Sequence, residues 1–450
     1  MPLTSFHRAQ PALEFIPPDF DPRVLAVTQG LLPLWMRWQV KLVDVEVEQA
    51  EILAQLYDQF QRQQVRFLIA FRHPSPDDPY CLARLLWSAV PKAARQTGLS
   101  LRSPLHAHFI YDRGIPLWAG RWIGWLYAKL GGTPIQRGKV DRQGLRSARH
   151  LFAHGTLPLA AAPEGGNNGH TEIVSPLEPG VAQLSFWCVE DLQRANRPER
   201  VVILPLGIAY HYVAPPWKPL EVLLQELETV CGLQQPSAAQ VGETPISRLY
   251  PRLYRLGEHL LVTMEDYYRN YYGCQLKAEG SLDQRLSNLL DQALSVAESY
   301  FQMAPRGSVI DRCRRIEQAG WERIFRDELR NRRDLPALQR GLADRIAEEA
   351  QLRMWHMRLV ENFVAVTGRY VRSHPSAERF AETLMLVRDT IAFIQGKNPF
   401  PRPKLGAQKA RLRVGEPIEV SDRWSAYQAG RKAAVEELTQ DLQRSLEALI

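Results

Sequence analysis

The sequence has few cysteines and no long apolar segment, and these two absences restrict the kind of protein it encodes. Its five cysteines in 450 residues are scattered and form no Cys-x-x-Cys pair, which argues against a disulfide framework or a zinc site and predicts reduced thiols. The longest uncharged run near the N-terminus, residues 24–36, is shorter than the roughly 18 apolar residues that a membrane-spanning helix needs. The first residues also lack the basic and apolar regions of a signal peptide. We therefore expect a cytoplasmic protein.

Several common catalytic motifs are missing as well. The sequence contains no Gly-x-Ser-x-Gly, no Gly-x-x-x-x-Gly-Lys-Ser/Thr, no Gly-x-Gly-x-x-Gly and no His-Glu-x-x-His. Serine hydrolases of the α/β type, P-loop nucleotide hydrolases and zinc proteases with that motif are therefore poor interpretations of the chain.

The charge is unevenly distributed. The chain has a formal net charge of +7, and the stretch from Arg113 to Arg149 alone holds eight basic residues against the single acid Asp141. Such a stretch is either a solvated surface or a contact for an anionic partner. Tryptophans are interleaved with these basic residues, but no nucleic-acid-binding module surrounds them, so we expect no nucleic-acid partner.

The first half of the chain alternates between two kinds of hydrophobic pattern. Residues 38–64 have helical spacing and predict an amphipathic helix, as do residues 143–154 and 181–194. Short apolar runs between such segments predict buried strands at residues 65–71, 108–111, 157–163 and 201–210. Alternating strands and helices favour an α/β fold with a layered sheet-and-helix core.

The second half is almost entirely helical in pattern. Residues 221–395 predict successive amphipathic helices, after which residues 411–420 alternate like a strand and a last helix follows. One strand and one helix cannot form a domain alone, so we expect them to return to the first sheet. The predicted organisation is an N-terminal segment, the core, a large all-α insertion and a closing strand and helix, at residues 1–50, 51–220, 221–402 and 403–450.

One histidine–aspartate pair is placed where chemistry is expected. His73 follows the predicted strand 65–71, and Asp78 comes five positions later across a proline-rich turn. Ligands of α/β sheets bind outside the carboxyl ends of the strands. A carboxylate on one ring nitrogen fixes the imidazole tautomer, and the other nitrogen can then accept a proton. The alternative is a buried histidine that hydrogen-bonds its neighbour without any catalytic role.

Three further blocks follow this pair in a fixed order. They are GGTPIQR at Gly131–Arg137, APEGGNNG at Ala162–Gly169 and VILPLG at Val202–Gly207. Together with the His-x4-Asp pair, they resemble the four motifs of the glycerolipid acyltransferase family, the 1-acylglycerol-3-phosphate acyltransferases and their relatives. The resemblance covers residues 50–220 and 403–450, and it does not extend to the predicted insertion.

The resemblance implies a function and a set of site residues. It implies an O-acyltransferase of phospholipid biosynthesis, acting at the cytoplasmic membrane surface, that moves an acyl group from acyl-CoA or acyl carrier protein to a lysophospholipid or glycerol phosphate. His73 would be the general base and Asp78 its partner. Arg137 would bind the acceptor phosphate, Glu164 and Gly165 would shape the acceptor site, and Pro205 would shape a strand near the thioester. It implies no metal and no cofactor besides the acyl donor as co-substrate.

The third block departs from the family pattern and keeps other interpretations open. The family usually has Phe, Thr and Arg where this sequence has Ala162, Gly166 and Asn167. The missing arginine puts the acceptor in doubt, although Arg142, Arg146 or Arg149 could compensate. One alternative is therefore an acyltransferase for an acceptor without phosphate. Another is a catalytically silent lipid- or protein-binding module that acts through its insertion. For residues 24–36, an interfacial helix and an ordinary buried helix are both compatible with the pattern.

Overall fold

The structure divides into two compact units. The computed structural model describes residues 8–39, 42–136, 141–234, 244–277, 279–330, 335–361 and 369–450, with the backbone alone at Leu34, residues 36–39 and Trp118. Of these residues, 15–136, 141–213 and 407–450 form an α/β unit, and 8–14 and 214–406 form a helical unit.

The elements have the following bounds. The strands are β1 (Gln10–Pro11), β2 (Leu42–Glu48), β3 (Val65–Phe71), β4 (His108–Asp112), β5 (Gly132–Ile135), β6 (Leu159–Ala161), β7 (Arg200–Tyr212), β8 (Phe325–Arg326), β9 (Gln408–Val414) and β10 (Ile418–Glu419). The helices are α1 (Pro22–Gln39), α2 (Ala50–Gln61), α3 (Asp78–Arg84), α4 (Val90–Gln96), α5 (Ile115–Ala119), α6 (Arg121–Lys129), α7 (Arg142–His154), α8 (Gly180–Arg194), α9 (Trp217–Val230), α10 (Pro245–Tyr272), α11 (Leu282–Phe301), α12 (Val309–Ile324), α13 (Ala337–Glu361), α14 (Tyr370–Ser373), α15 (Ala377–Ile394), α16 (Trp424–Ala429) and α17 (Arg431–Glu447).

An eight-stranded sheet forms the centre of the α/β unit. Its strand order is β2-β9-β7-β3-β6-β4-β5, and β10 also pairs with β7. Strands β3 to β7 run parallel to their partners within this set, whereas β9 is antiparallel to β7. All seven residues of β3 are buried, because β7 and β6 flank the strand and helices cover both of its faces. This double burial explains why every residue of β3 except Arg66 is apolar. The buried Arg66 guanidinium donates to the carbonyl oxygens of Leu151, Phe152 and Gly155.

Successive residues of β3 contribute to two separate cores. Phe67 and Ile69 pack with residues of α2, α3 and α4, whereas Leu68 and Ala70 pack with residues of α7, α8 and α17. Side chains of a strand point alternately to opposite faces of the sheet, so one strand supplies both cores. The α/β unit is therefore a three-layer arrangement of helices, sheet and helices.

The segment from residue 38 to residue 64 is not the single amphipathic helix that the sequence predicts. It contains the edge strand β2 and the helix α2, separated by Gln49 in the left-handed conformation with φ of 60°. Valines alternate with acidic residues in LVDVEVE, which is the period of a strand. Strand β2 pairs in parallel with β9, so residues 42–48 belong to the sheet and not to a separate N-terminal segment.

The helical unit spans residues 214–406, against predicted boundaries of 221 and 402 for the insertion. Three of its helices begin with reciprocal side-chain caps, from Thr244 and Ser247, from Ser281 and Gln284, and from Ser308 and Asp311. Such caps satisfy backbone N–H groups at helix starts and mark them in the sequence. Among the helices in the described part of the chain, none combines the length and the apolar character needed to cross a bilayer.

The chain is thus a mixed α/β protein, as predicted, and the structure adds that its sheet is mostly parallel. The strand predicted at 65–71 coincides with β3, and those at 108–111, 157–163 and 201–210 correspond to β4, β6 and β7. The strand predicted at 411–420 is divided into β9 and the short β10, and the last helix is divided into α16 and α17. The C-terminal strand β9 lies beside β7, inside the sheet of the first half.

Candidate functional site

The histidine–aspartate pair lies at the carboxyl end of the central strand. His73 follows β3 by two residues, and Asp78 is the first residue of α3. The His73 Nδ1 atom lies 2.8 Å from Asp78 Oδ2. The Asp78 side chain is fully buried, whereas that of His73 keeps 26% of its surface exposed. The pair therefore combines a shielded carboxylate with an imidazole that solutes can reach.

Two further donors hold the Asp78 carboxylate. The Tyr210 hydroxyl donates to Asp78 Oδ1 at 2.6 Å, and the Ser75 backbone N–H donates to Oδ2 at 3.0 Å. Tyr210 lies on β7, the strand that pairs with β3. Burial raises the pKa of the Asp78 carboxyl, and the hydrogen bonds from His73, Tyr210 and Ser75 oppose that rise. This arrangement fixes the carboxylate in one orientation toward the imidazole.

Glu164 binds the backbone beside His73. It follows β6, the other neighbour of β3, and its side chain is buried. Glu164 Oε1 accepts a hydrogen bond of 2.9 Å from the His73 backbone N–H, and Oε2 accepts one of 2.9 Å from the Ser175 N–H. The Asn168 side-chain amide donates to Oε2 at 2.8 Å. Glu164 thus joins the turn after β3 to the loop after β6.

Arg72 directly precedes His73 in the chain, and its guanidinium is fully engaged in contacts within the protein. The side chain is fully buried and donates to the carbonyl oxygens of His170, Thr171 and Ile173. Its Nε atom lies 3.6 Å from Glu164 Oε1. Arg72 therefore positions the loop that carries Asn168 and does not face outward as an anion-binding group.

Gly165 occupies a position that other residues cannot fill easily. Its φ of 69° lies in the left-handed region, and a Cβ atom there would collide with the Glu178 carboxylate. Asn167, which stands where the family has arginine, accepts a hydrogen bond of 2.8 Å from the Gly169 N–H and stabilises the turn. The third block is therefore built as a tight loop behind Glu164.

Pro205 and Arg137 differ from the other predicted site residues. Pro205 lies in β7 opposite Ala70 of β3, and its carbonyl oxygen accepts a hydrogen bond of 2.9 Å from the Gly415 N–H. It is a strand residue in the middle of the sheet, which accords with a structural role. Arg137 lies outside the described residues. The flanking Gln136 N–H donates to Asp141 Oδ2 at 2.9 Å, which brings the end of β5 close to the start of α7.

Much of the charge in the basic stretch is matched by acids. Arg113 contacts Asp141 at 2.5 Å, Lys129 contacts Asp19 at 2.5 Å, and Arg149 contacts Asp191 at 2.6 Å. Arg149 also contacts Glu190 at 2.8 Å, so it is not placed to replace the missing arginine of the third block. Arg121, Arg142 and Arg146 are exposed. The stretch is therefore less cationic at its surface than its sequence indicates.

Sequence reasoning did not identify Tyr210, Arg72 or Asn168, although all three contact the residues of the pair or Glu164. Tyr210 ends the predicted strand 201–210, and Arg72 directly precedes His73. The pairing of β7 with β3 brings Tyr210 to Asp78, and this pairing is not encoded in the local pattern of either strand. Asn168 lies within the third block, and this position was the one feature of the sequence that could have indicated a role at the site.

The arrangement of His73 and Asp78 is suited to general-base chemistry. Because Asp78 engages Nδ1, the other ring nitrogen of His73 is the one that can accept a proton. Cys81 lies nearby, but its Sγ atom contacts the Tyr210 hydroxyl at 3.3 Å, and burial raises the pKa of its thiol. A thiol with a raised pKa is a poor nucleophile. The pair can therefore accept a proton from a hydroxyl group or a water molecule, whereas Cys81 is not suited to act as a nucleophile.

A large cavity adjoins the helix that begins at Asp78. It has a volume of about 1460 Å³ and is lined by residues of α1, β2 and the helical segments after β3, including Ala83, Arg84 and Trp87. His73, Asp78 and Glu164 do not line it. In the described residues, no three His, Cys, Asp or Glu side chains are grouped as a metal site.

Comparison with known proteins identified no relative. No protein-family model matches the chain, and neither the curated proteins nor the solved structures include a match to it.

Proposed function

We propose that the protein is an O-acyltransferase that transfers a fatty acyl group from acyl-CoA or acyl carrier protein to a hydroxyl of a lysophosphatidate-like acceptor. The observation that carries the proposal is the His73–Asp78 pair, held by Tyr210 at the carboxyl end of β3. The link from Glu164 to the His73 backbone adds support, because it joins two of the four sequence blocks in one site. The order of those blocks resembles that of glycerolipid acyltransferases.

The proposed reaction requires one proton carrier. His73 accepts the proton of the acceptor hydroxyl as that oxygen attacks the thioester carbonyl carbon. The tetrahedral intermediate then collapses, the C–S bond breaks, and the leaving thiolate takes the proton from the imidazolium. The buried Asp78 carboxylate stabilises that imidazolium and fixes its orientation. No acyl-enzyme forms in this scheme, in agreement with the raised pKa of the Cys81 thiol.

The large cavity beside α3 is the proposed position of an acyl chain. Its lining includes apolar residues such as Leu86, Trp87 and Leu101, and α3 connects it to Asp78. Burial of an alkyl chain there would be favourable by about 0.8 kcal/mol for each methylene removed from water. The chain would thus contribute binding energy at a distance from the reacting carbonyl.

The identity of the acceptor has two candidates. A phosphate-bearing acceptor is favoured by the match of Arg137 to the second block. An acceptor without phosphate is favoured because Asn167 stands in place of the family's arginine. It is also favoured because the Arg72 guanidinium already donates to backbone carbonyl oxygens and is not available to bind a phosphate. The two candidates make opposite predictions for Arg137.

We expect the Arg137→Ala variant to raise the KM for lysophosphatidate roughly tenfold or more, because a charge-assisted contact to phosphate is lost. The KM for monoacylglycerol should stay unchanged. Both constants are measured in acyl-transfer assays of the full-length protein, with Arg194→Ala as a control at an exposed arginine. Equal transfer to both acceptors, with no effect of Arg137→Ala, would favour the acceptor without phosphate. No transfer to either would contradict the proposal itself.

The proposed membrane contact is an exposed apolar surface on α1 and α6. Val27, Leu31 and Trp35 follow one another at intervals of four residues on α1, and each is more than half exposed at 62%, 59% and 52%. Trp122 and Trp125 of α6 are 62% and 55% exposed. The Trp35 indole N–H donates to the Tyr80 hydroxyl on α3 at 2.9 Å, which connects this surface to the helix of Asp78. Tryptophans of this kind are typical of membrane interfaces.

We expect a Trp122→Gln, Trp125→Gln double variant to bind vesicles containing anionic lipid roughly tenfold more weakly than the unmodified protein, because two indoles no longer enter the interface. Vesicle sedimentation gives the partition coefficient. The control is a Val222→Gln, Val230→Gln variant, since these valines of α9 have similar exposures of 49% and 53%. Equal binding by all three proteins would exclude this surface as the membrane contact.

A further inference from the structure

The helix α13 exposes a row of apolar side chains that the proposed reaction does not use. Its inner face packs against α11 and α12 and buries Ala343, Ala347 and Ala350. Its outer face carries four large apolar residues that are between 41% and 76% exposed, namely Leu338, Leu342, Ile346 and Leu352. Single exposed apolar residues are normal, whereas a row of them along one helix marks an interaction surface.

Four residues along this outer face follow a symmetric order. Leu342, Arg345, Glu349 and Leu352 are all exposed and succeed one another at steps of three, four and three positions. Such steps place side chains along one line of a helix, as in the contact line of a coiled coil. In the reverse direction the same line again has leucine at each end, with the two charges exchanged. The face is therefore complementary to itself when two helices run antiparallel.

The orientation of such a pair follows from the charges. In an antiparallel pair related by a two-fold axis, Leu342 meets Leu352 of the second copy, and Arg345 meets Glu349 of the second copy. The axis repeats both contacts, so two leucine pairs enclose two ion pairs. A parallel pair in register would instead place Arg345 against Arg345 and Glu349 against Glu349, and like charges repel.

Both charged side chains can turn toward a second copy at little cost. The Arg345 side chain is 77% exposed, and its contact of 3.0 Å with Glu348 joins residues one helical turn apart. Exposed pairs of this kind contribute little to stability. Glu349 accepts a hydrogen bond of 3.2 Å from the exposed side of Tyr300 through the single oxygen Oε2. Neither contact holds its side chain inside the helical unit.

We propose that the protein forms a two-fold symmetric dimer through antiparallel pairing of α13 with α13 of a second copy. One helix pair is smaller than a standard interface, which removes about 800 Å² of surface from each partner. The association is therefore weak, with half of the protein dimeric at a concentration on the order of 10–100 µM. This contact lies in the helical unit and does not depend on the proposed acyl transfer.

Sedimentation velocity of the full-length protein tests the dimer. Measurements over roughly 1–200 µM protein should show a concentration-dependent shift from monomer to dimer. Arg345→Glu and Glu349→Arg should each weaken dimerisation at least about tenfold, because each variant places like charges opposite one another. Melting curves show that the variants fold. The matched control is the Asp327→Arg, Arg330→Glu variant, which reverses an exposed ion pair of the same unit and should dimerise like the unmodified protein.

Combining the two substitutions distinguishes self-complementarity from a general effect of charge. The Arg345→Glu protein and the Glu349→Arg protein should associate with each other when mixed, because the two central charges are then both negative on one face and both positive on the other. The Arg345→Glu, Glu349→Arg double variant should dimerise like the unmodified protein, since the order of the charges is only reversed. His73→Ala should dimerise normally, so a failure of the proposed catalytic function would not affect this result.

The proposal is overturned if the unmodified protein stays monomeric over the whole concentration range. It is also overturned if the folded single variants dimerise as well as the unmodified protein. Failure of both the mixture and the double variant to restore association would show that Arg345 and Glu349 do not face each other across the axis.

Discussion

The His73→Ala variant is expected to lose acyl transfer by roughly 10²- to 10⁴-fold in kcat, which is the usual contribution of a positioned general base. The reason is that alanine removes the imidazole, the only group that carries the hydroxyl proton in the proposed reaction. The KM values should change little, because in the proposed reaction the imidazole contacts the reacting hydroxyl and not the acyl chain or the head group. Steady-state assays at saturating donor and acceptor give both constants.

The control for this variant is His374→Ala, since His374 is an exposed histidine of the helical unit. Its kcat should equal that of the unmodified protein. Melting curves of both variants show whether a loss comes from unfolding. If folded His73→Ala protein keeps its full rate, His73 is not the base, and the interpretation of the pair as a buried structural contact is correct.

The Asp78→Asn variant is expected to separate activity from stability. Transfer should fall by roughly 10²-fold or more, because an amide no longer stabilises the imidazolium or sets the tautomer of His73. Stability at pH 7 should not fall, because the amide carries no charge into a fully buried position. The Tyr210 hydroxyl can accept a hydrogen bond from the new amide in place of donating to the carboxylate.

The pH dependence of this difference has a definite sign. Burial raises the pKa of the Asp78 carboxyl in the folded state above its unfolded value. A group of this kind gives its full contribution to stability below the unfolded pKa, and the contribution is lost as the pH rises through the folded pKa. The asparagine variant has no such loss. Its melting temperature relative to the unmodified protein should therefore increase as the pH rises from about 3 to 7.

Asp77→Asn is the matched control, because Asp77 is the neighbouring carboxylate and is only partly buried. We expect it to keep transfer activity and to lack this pH-dependent gain. A melting temperature of Asp78→Asn that falls relative to the unmodified protein as the pH rises would contradict the assigned direction of the pKa shift. Full activity in that variant would contradict the role of the carboxylate.

The central strands, which helices cover on both faces, could be predicted from the sequence, and the edge strand β2 could not. Residues 65–71 form a run that is apolar at every position except Arg66, with charged and proline-containing segments at its ends, so β3 was predicted correctly. Strand β2 was missed because its acidic residues resemble those of the amphipathic helix that follows it. At the edge, Lys409 and Arg413 of β9 contact Glu46 and Glu48 at 3.2 Å and 2.8 Å. Such cross-strand pairs stabilise a strand that looks helical in isolation.

Contacts between residues that are close in the sequence could be predicted, and those between distant residues could not be predicted from the local pattern. His73 and Asp78 are five residues apart, so their contact could be predicted from one turn. The contact from Glu164 to His73 spans 91 residues and was suggested through the resemblance alone. The contact from Tyr210 to Asp78 spans 132 residues and depends on the pairing of β7 with β3. Sequence order does not determine that pairing, so Tyr210 was not identified.

Mass spectrometry of the reaction products tests the central claim most directly. The full-length protein is incubated with a mixture of acyl-CoA, acyl carrier protein loaded with the same acyl group, and lysophospholipid and monoacylglycerol acceptors. We expect a new product whose mass equals that of one acceptor plus one fatty acid less one water, formed by the unmodified protein and not by His73→Ala. Absence of any acylated acceptor from the unmodified protein would contradict the account.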